Sequence, residues 1–148
     1  MSKKIAFIGL GAMGGPMASN IIKKGIKLSV YDIDKIRMNE VVKVGGESNQ
    51  NINECIKNAE IVITMLPATE QVKENLIGKN GVIENLNPGS IIMDMSTIAP
   101  VGTDLIADKC KKNKLDFIDA PVGRLVSHAV SGDSLFMVGC NNEMAFKQ

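Results

Sequence analysis

The chain has 148 residues, a formal net charge of +1, 45% hydrophobic and 22% charged residues. That length suits one domain able to bury a sizeable core, and the balanced charge excludes the basic surface of a nucleic-acid binder and a long acidic tail. No Trp, one Tyr and four Phe offer no aromatic platform for stacking bases.

Ile5 to Ile8 is an unbroken apolar run with β-branched residues, as expected of a strand covered on both faces. It leads into Gly9-Leu10-Gly11-Ala12-Met13-Gly14, a Gly-x-Gly-x-x-Gly run. A helical stripe follows, with Met13, Met17, Ile21, Ala18 and Ile22 inward and Asn20, Lys23 and Lys24 outward. Pro16 lies in the first turn, where its missing N–H costs little, and Gly25 is a stop. Strand, glycine turn and helix in this order are what a dinucleotide site requires. The first glycine makes the tight turn, the second lets the backbone approach a pyrophosphate, and the third lets helix pack on strand. The pyrophosphate then meets free N–H groups at the positive end of the helix.

Leu28 to Tyr31 reads as the second strand and ends at Asp32, about as far beyond the glycines as a ribose-binding acid stands. Asp32 can accept hydrogen bonds from a ribose diol and repels a 2′-phosphate. A hydrogen bond to a charged group is worth ~1.5–3 kcal/mol, a preference for NAD over NADP of roughly tenfold to hundredfold. Capping the helix that starts near Ile33 is compatible with that role. No Arg or Lys follows Asp32 at once; Lys35 and Arg37 fall on the next helix.

That helix runs from Ile33 to Val44 and stops at Gly45-Gly46. Ile52, Cys55, Ile56 and Ala59 form a short amphipathic helix behind Asn51 as cap. Ile61 to Met65 is a buried strand ended by Pro67, and a helix spans Thr69 to Ile77. After Gly78 and Asn87-Pro88-Gly89, Ser90 to Met95 is another strand. Ile98, Val101 and Leu105 line the next helix, capped by Ser96 or Thr97 with Pro100 in its first turn. Leu115 to Ile118 and Ser134 to Val138 complete the strands. Alternating buried strands and helices mean an α/β fold, a mostly parallel, doubly wound sheet with helices on both faces.

Ligands of such sheets bind outside the carboxyl ends of the strands. Those ends carry Gly9 to Met13, Asp32, Met65-Leu66-Pro67, Ser96-Thr97 and Asp119 to Arg124, five loops expected to converge on one crevice. Leu66-Pro67 is an apolar corner for a cofactor, or a strand breaker. Ser96 and Thr97 offer hydroxyls to a nicotinamide amide or a substrate oxygen, or caps to the helix. Arg124 follows Pro121-Val122-Gly123 in apolar surroundings, and its fork suits a carboxylate, phosphate or sulfonate. His128, the single histidine, has no partner in sequence and reads as a loop or helix-surface residue.

Cys55, Cys110 and Cys140 are odd in number and far apart, without metal spacing, so they read as reduced, mostly buried hydrophobes of a cytoplasmic protein. Met1-Ser2-Lys3-Lys4 is basic, but the apolar run behind it stops at Gly9, too short for a signal-peptide core. No membrane-spanning segment is expected, and no metal.

The chain resembles the β-hydroxyacid dehydrogenase family, which includes 3-hydroxyisobutyrate dehydrogenase, tartronate semialdehyde reductase and sulfolactaldehyde reductase. The resemblance rests on Phe7 to Gly14 with Pro16-Met17-Ala18, Ile63-Thr64-Met65-Leu66-Pro67, Asp94-Met95-Ser96-Thr97-Ile98 and Asp119-Ala120-Pro121-Val122. It implies a Rossmann domain that binds NAD(H) through Gly9, Leu10, Gly11, Ala12, Met13, Gly14, Asp32, Leu66, Pro67 and Thr97. It places Ser96, Gly123 and Arg124 at the substrate. Most members carry Ser-Gly-Gly after Asp-Ala-Pro-Val; Gly123-Arg124-Leu125 is instead similar to the sulfolactaldehyde reductase branch, where the arginine holds an anionic group. The family's catalytic lysine lies on a long helix after this domain, followed by an all-helical domain, so the resemblance puts that lysine beyond Gln148. It thus implies that residues 1–148 are the cofactor-binding half of a homo-oligomeric enzyme, without a catalytic residue of their own. The substrate is a small anionic β-hydroxy acid, a hydroxyalkyl sulfonate or the matching aldehyde; a non-catalytic NAD-binding module is the other reading.

Overall fold

The computed structural model describes residues 3–140 and 142–147, so that Met1, Ser2, Asn141 and Gln148 lie outside the described residues. In chain order the elements are β1 (Ile5–Ile8), α1 (Gly14–Lys23), β2 (Leu28–Tyr31), α2 (Lys35–Val42), β3 (Glu47–Ser48), α3 (Ile52–Ile56), β4 (Ile61–Thr64), α4 (Thr69–Ile77), α5 (Val82–Asn85), β5 (Ile91–Asp94), α6 (Pro100–Lys112), β6 (Asp116–Asp119), β7 (Val122–Gly123), α7 (Val126–Ser131), β8 (Leu135–Phe136), β9 (Gly139–Cys140) and α8 (Glu143–Phe146). The main sheet has the order β3-β2-β1-β4-β5-β6-β9. Its strands run parallel except β9, which is antiparallel to β6.

The expected doubly wound architecture is present, and the apolar run of β1 shows why. Successive side chains of a strand point to opposite faces. Ala6 and Ile8 join Val62, Ile92, Val72, Leu76, Ile106 and Cys110 in the layer under α3 to α6. Phe7 joins Val30, Ile63, Met17, Ala18, Met38, Val41 and Ala129 in the layer under α1, α2 and α7. Burying one such Val, Leu, Ile or Phe contributes ~1.5–3 kcal/mol, so the strand is apolar throughout because both faces are covered.

Several boundaries differ from expectation, each for a local reason. α2 begins at Lys35 rather than Ile33 because the Asp34 carboxylate caps it, accepting from the Ile36 N–H at 2.8 Å. Ile33 is left outside and 91% exposed. Neither Ser96 nor Thr97 caps α6: its cap position is Ala99, whose N–H donates to Thr69 Oγ1 at 3.0 Å, tying α6 to α4. The stretch Ser134 to Val138 does not extend the main sheet. Its β8 pairs antiparallel with β7 in a separate ribbon, and β9 closes the sheet instead. Asn51 caps α3 as expected, accepting from Glu54 N–H at 2.9 Å, and Gly25 ends the first helix region at φ +86°.

Candidate dinucleotide site

The strand order reverses between β1 and β4, and the loops after these strands face each other there. Gly9 has φ +94°, and a Cβ on it would strike the Met65 carbonyl oxygen and stand 2.9 Å from Leu66 Cδ2. A Cβ on Gly14 would strike the Gly9 carbonyl oxygen, with Phe7 Cε1 3.3 Å away. These outer glycines are therefore demanded by close approach within the protein itself. Gly11 is different: the nearest heavy atom to a Cβ there is Arg37 Nη1 at 3.5 Å, an ordinary contact distance. The space beside Gly11 serves no packing need of the fold, which is the cradle a diphosphate would fill.

α1 opens on this cradle without a capping side chain at Met13 and without an acidic residue in its first turn. Among the described residues, no hydrogen bond engages the N–H groups of Ala12 and Met13. The N–H of Leu10 is engaged: it donates to Asp32 Oδ2 at 2.6 Å, and the Leu10 side chain is buried. The other Asp32 oxygen, Oδ1, accepts from the Asp34 N–H at 2.8 Å. Each carboxylate oxygen retains acceptor capacity beyond these bonds, so the acid at the end of β2 braces the glycine loop and can still accept further hydrogen bonds.

A crevice of about 380 Å³ gathers Gly9, Gly11, Ala12, Met13, Gly14, Asp32, Leu66 and Pro67. It also takes in Tyr31, Ile33, Arg37, Met65, Gln71 and Asn75. Leu10, expected at the cofactor, does not line it; its side chain lies in the core under α1. Of the additional residues, Arg37 carries charge. Its place on α2 was legible, but the sequence did not fix where that helix starts, and so gave no means of knowing which way the side chain faces.

The remaining expected residues are arranged otherwise. Ser96, expected at the substrate, has no exposed surface. Its hydroxyl accepts from the Leu66 N–H at 2.9 Å and its own N–H donates to Asp94 Oδ1 at 3.1 Å, so it fixes the Leu66-Pro67 corner from behind. Thr97 is exposed at the end of β5, outside the crevice. Gly123 lies in β7, and Arg124 follows it at φ +70°, a conformation side chains rarely adopt. Arg124 Nη1 donates to the Asp133 carbonyl at 3.0 Å and to Asp133 Oδ2 at 2.6 Å, across the turn between α7 and β8. His128 Nδ1 accepts from the Leu125 N–H at 3.3 Å, closing the start of α7. It lies in the first turn of α7. Gln148, beyond which the resemblance puts the catalytic lysine, lies outside the described residues.

Beneath the corner lies a buried carboxyl that the sequence did not single out. Asp94 and Thr64 are register neighbours on β5 and β4. Asp94 Oδ1 accepts from Thr64 Oγ1 at 2.8 Å and from the Ser96 N–H at 3.1 Å, while Oδ2 is buried without a partner among the described residues. Burial pushes the Asp94 pKa up, and the bonds from Ser96 and Thr64 oppose it. Asp119, its register neighbour on β6, is also raised, first by burial and then by the Asp94 charge.

A parallel sheet with its glycine loop at the switch point, an uncapped helix start and an acid at the end of β2 define a Rossmann-type NAD(P)-binding domain. The family described as the NAD binding domain of 6-phosphogluconate dehydrogenase matches residues 4–148, and the chain belongs to that family. It is 43% identical over 136 residues to the 3-sulfolactaldehyde reductase of Escherichia coli K12, covering 91% of this chain and 45% of that protein. It is 40% identical over 138 residues to a probable mitochondrial 3-hydroxyisobutyrate dehydrogenase of Dictyostelium discoideum, covering 93% and 43%. The Mycobacterium tuberculosis 3-hydroxyisobutyrate dehydrogenase superposes with a TM-score of 0.91 at 28% identity, over 99% of this chain and 49% of that one. The chain thus spans about half the length of the relatives it matches. No helix among the described residues is long and apolar enough to cross a membrane.

Proposed function

We propose that the chain is the NAD(H)-binding half of an oxidoreductase that interconverts a small anionic β-hydroxy acid, or a hydroxyalkyl sulfonate, and its aldehyde. The 3-sulfolactaldehyde reductase kind fits best. The observation that carries the cofactor is the Gly11 cradle beside Asp32. NAD, when bound, supplies or accepts the hydride. Asp32 receives the ribose diol and disfavours a 2′-phosphate. Leu66 and Pro67 pack against the cofactor from the β4 side, held by Ser96, and Thr97 stands at the next strand end.

The substrate reading rests on Arg124. Among the described residues only its Nη1 is engaged, by an Asp133 that is itself 70% exposed. A surface ion pair of this kind is worth ~0–1 kcal/mol, so a bidentate sulfonate or carboxylate displaces it readily. Gly123 keeps the approach to that anion open. The proton donor is the family lysine, which we place beyond Gln148 together with the all-helical domain of a cytoplasmic homo-oligomer. Removal of a general acid costs ~10²–10⁴-fold in rate. The 148-residue chain alone is accordingly expected to bind NAD and turn nothing over.

The test is a panel of sulfolactaldehyde, methylmalonate semialdehyde, tartronate semialdehyde and an uncharged aldehyde, run with the full-length protein and NADH. The sulfonate should give the highest kcat/KM. Arg124→Gly, which also relieves the backbone at φ +70°, should lose more on the anionic substrates than on the uncharged one. Equal losses refute the clamp. NAD binding without turnover of any aldehyde leaves a non-catalytic module.

A further inference from the structure

We infer that Arg37 is the counter-charge of the cofactor's diphosphate, a binding residue on α2 that lies outside the glycine run. This rests on the dinucleotide reading above. Arg37 Nη1 is 3.5 Å from the position a Cβ on Gly11 would occupy. The second glycine of such a loop is bare so that the backbone can approach a pyrophosphate, so the guanidinium stands against the path that the diphosphate takes. Arg37 also lines the neighbouring recess formed by Gly11, Ala12, Pro16 and Ser19, and so sits on the saddle between it and the main crevice.

The side chain leans on the capped start of α2 through a half-exposed surface pair, a weak contact. Arg37 Nε is 3.5 Å from Asp34 Oδ2, and Asp34 is itself fixed by capping Ile36 and by donating its N–H to Asp32. The ribose acid, the helix cap and the guanidinium therefore form one linked chain, with Nη1 directed at Gly11. The charge balance calls for such a group. The start of α1 supplies only about half a positive charge, and its first turn, Gly14 to Met17, contains no basic residue. Asp32 adds a negative charge, and Arg37 is the cation among the residues that line the main crevice. A planar fork matches phosphate oxygens where a lysine offers a point charge.

The test is titration of this chain with NAD, NADP, ADP and adenosine, comparing wild type with Arg37→Ala and Arg37→Gln at low and high salt. Loss of one charge-assisted contact at a half-exposed site should raise Kd for NAD, NADP and ADP about tenfold alike. Adenosine binding should not change, and the salt dependence of NAD binding should flatten. Unfolding temperatures should stay at the wild-type value; if the alanine variant is misfolded, the glutamine variant decides. Unchanged NAD and ADP binding overturns the inference. So does a loss confined to NADP, which assigns Arg37 to a 2′-phosphate, or an equal loss for adenosine, which assigns it to packing. A wild-type chain that binds none of the phosphorylated ligands overturns the dinucleotide reading itself.

Discussion

Asp32 Oδ2 accepts a 2.6 Å hydrogen bond from the backbone N–H of Leu10, joining the acid at the end of β2 to the glycine loop after β1. The carboxylate is buried, and its other oxygen holds the Asp34 N–H. The group proposed to read the ribose is thus also the group that shapes the glycine loop.

Replacing Asp32 should for that reason fail to convert the site to NADP. Asp32→Ala leaves the Leu10 and Asp34 N–H groups without their acceptor, at ~1–3 kcal/mol for a buried unsatisfied donor. Both NAD and NADP should bind more weakly than to wild type, and the unfolding temperature should fall. Calorimetric titration with each cofactor checks this; a gain in NADP affinity would show that the brace is dispensable.

The glycines should separate fold from binding. Gly14→Ala drives a methyl group into the Gly9 carbonyl, so the loop must shift and both stability and NAD binding should drop. Gly11→Ala meets nothing closer than Arg37 Nη1 at 3.5 Å, so it should leave the unfolding temperature nearly unchanged and still abolish NAD binding. Thermal unfolding and titration of both variants read out the two effects independently.

Asp94 and Asp119 should make stability fall as pH rises. Both carboxyls have folded pKa values raised above their unfolded ones, so the folded state holds the protons more tightly. Their stabilising contribution is full below the unfolded value of ~4 and is lost as pH climbs through the raised folded values. Asp94→Asn, which carries no charge, should flatten this part of the profile and return Asp119 towards its ordinary titration. Asp94→Ala should instead cost ~1–3 kcal/mol, because Thr64 and the Ser96 N–H lose their acceptor. Denaturation at a series of pH values, with carbon-13 NMR of the carboxyls, tests each part.

The thiols should differ in reactivity. Burial pushes Cys55 and Cys110 up to about 12, and thiolate is the reactive form. Cys140 is only half-buried. Native protein treated with iodoacetamide near neutral pH should gain its first adduct at Cys140, with Cys55 and Cys110 modified only after unfolding. Peptide mass spectrometry locates the adducts.

The sheet, the glycine loop and the place of Asp32 at a strand end are legible from residue order alone, because each follows from a local rule. An unbroken apolar strand implies cover on both faces, and a glycine motif between strand and helix implies a turn with exposed N–H groups. Leu66 and Pro67, readable as an apolar corner at a strand end, line the crevice. Which polar groups face the crevice and which brace it depends on how distant elements pack together. Ser96 is buried behind the Leu66 corner, Leu10 turns into the core, Arg124 pairs with Asp133, and Arg37 reaches across from α2 to Gly11. Those outcomes depend on helix phase and on contacts between strands far apart in the chain. Asp94 shows the reason most plainly: it is an ordinary strand-end aspartate in sequence. Its buried, half-satisfied state arises only where β4, β5 and β6 lie side by side.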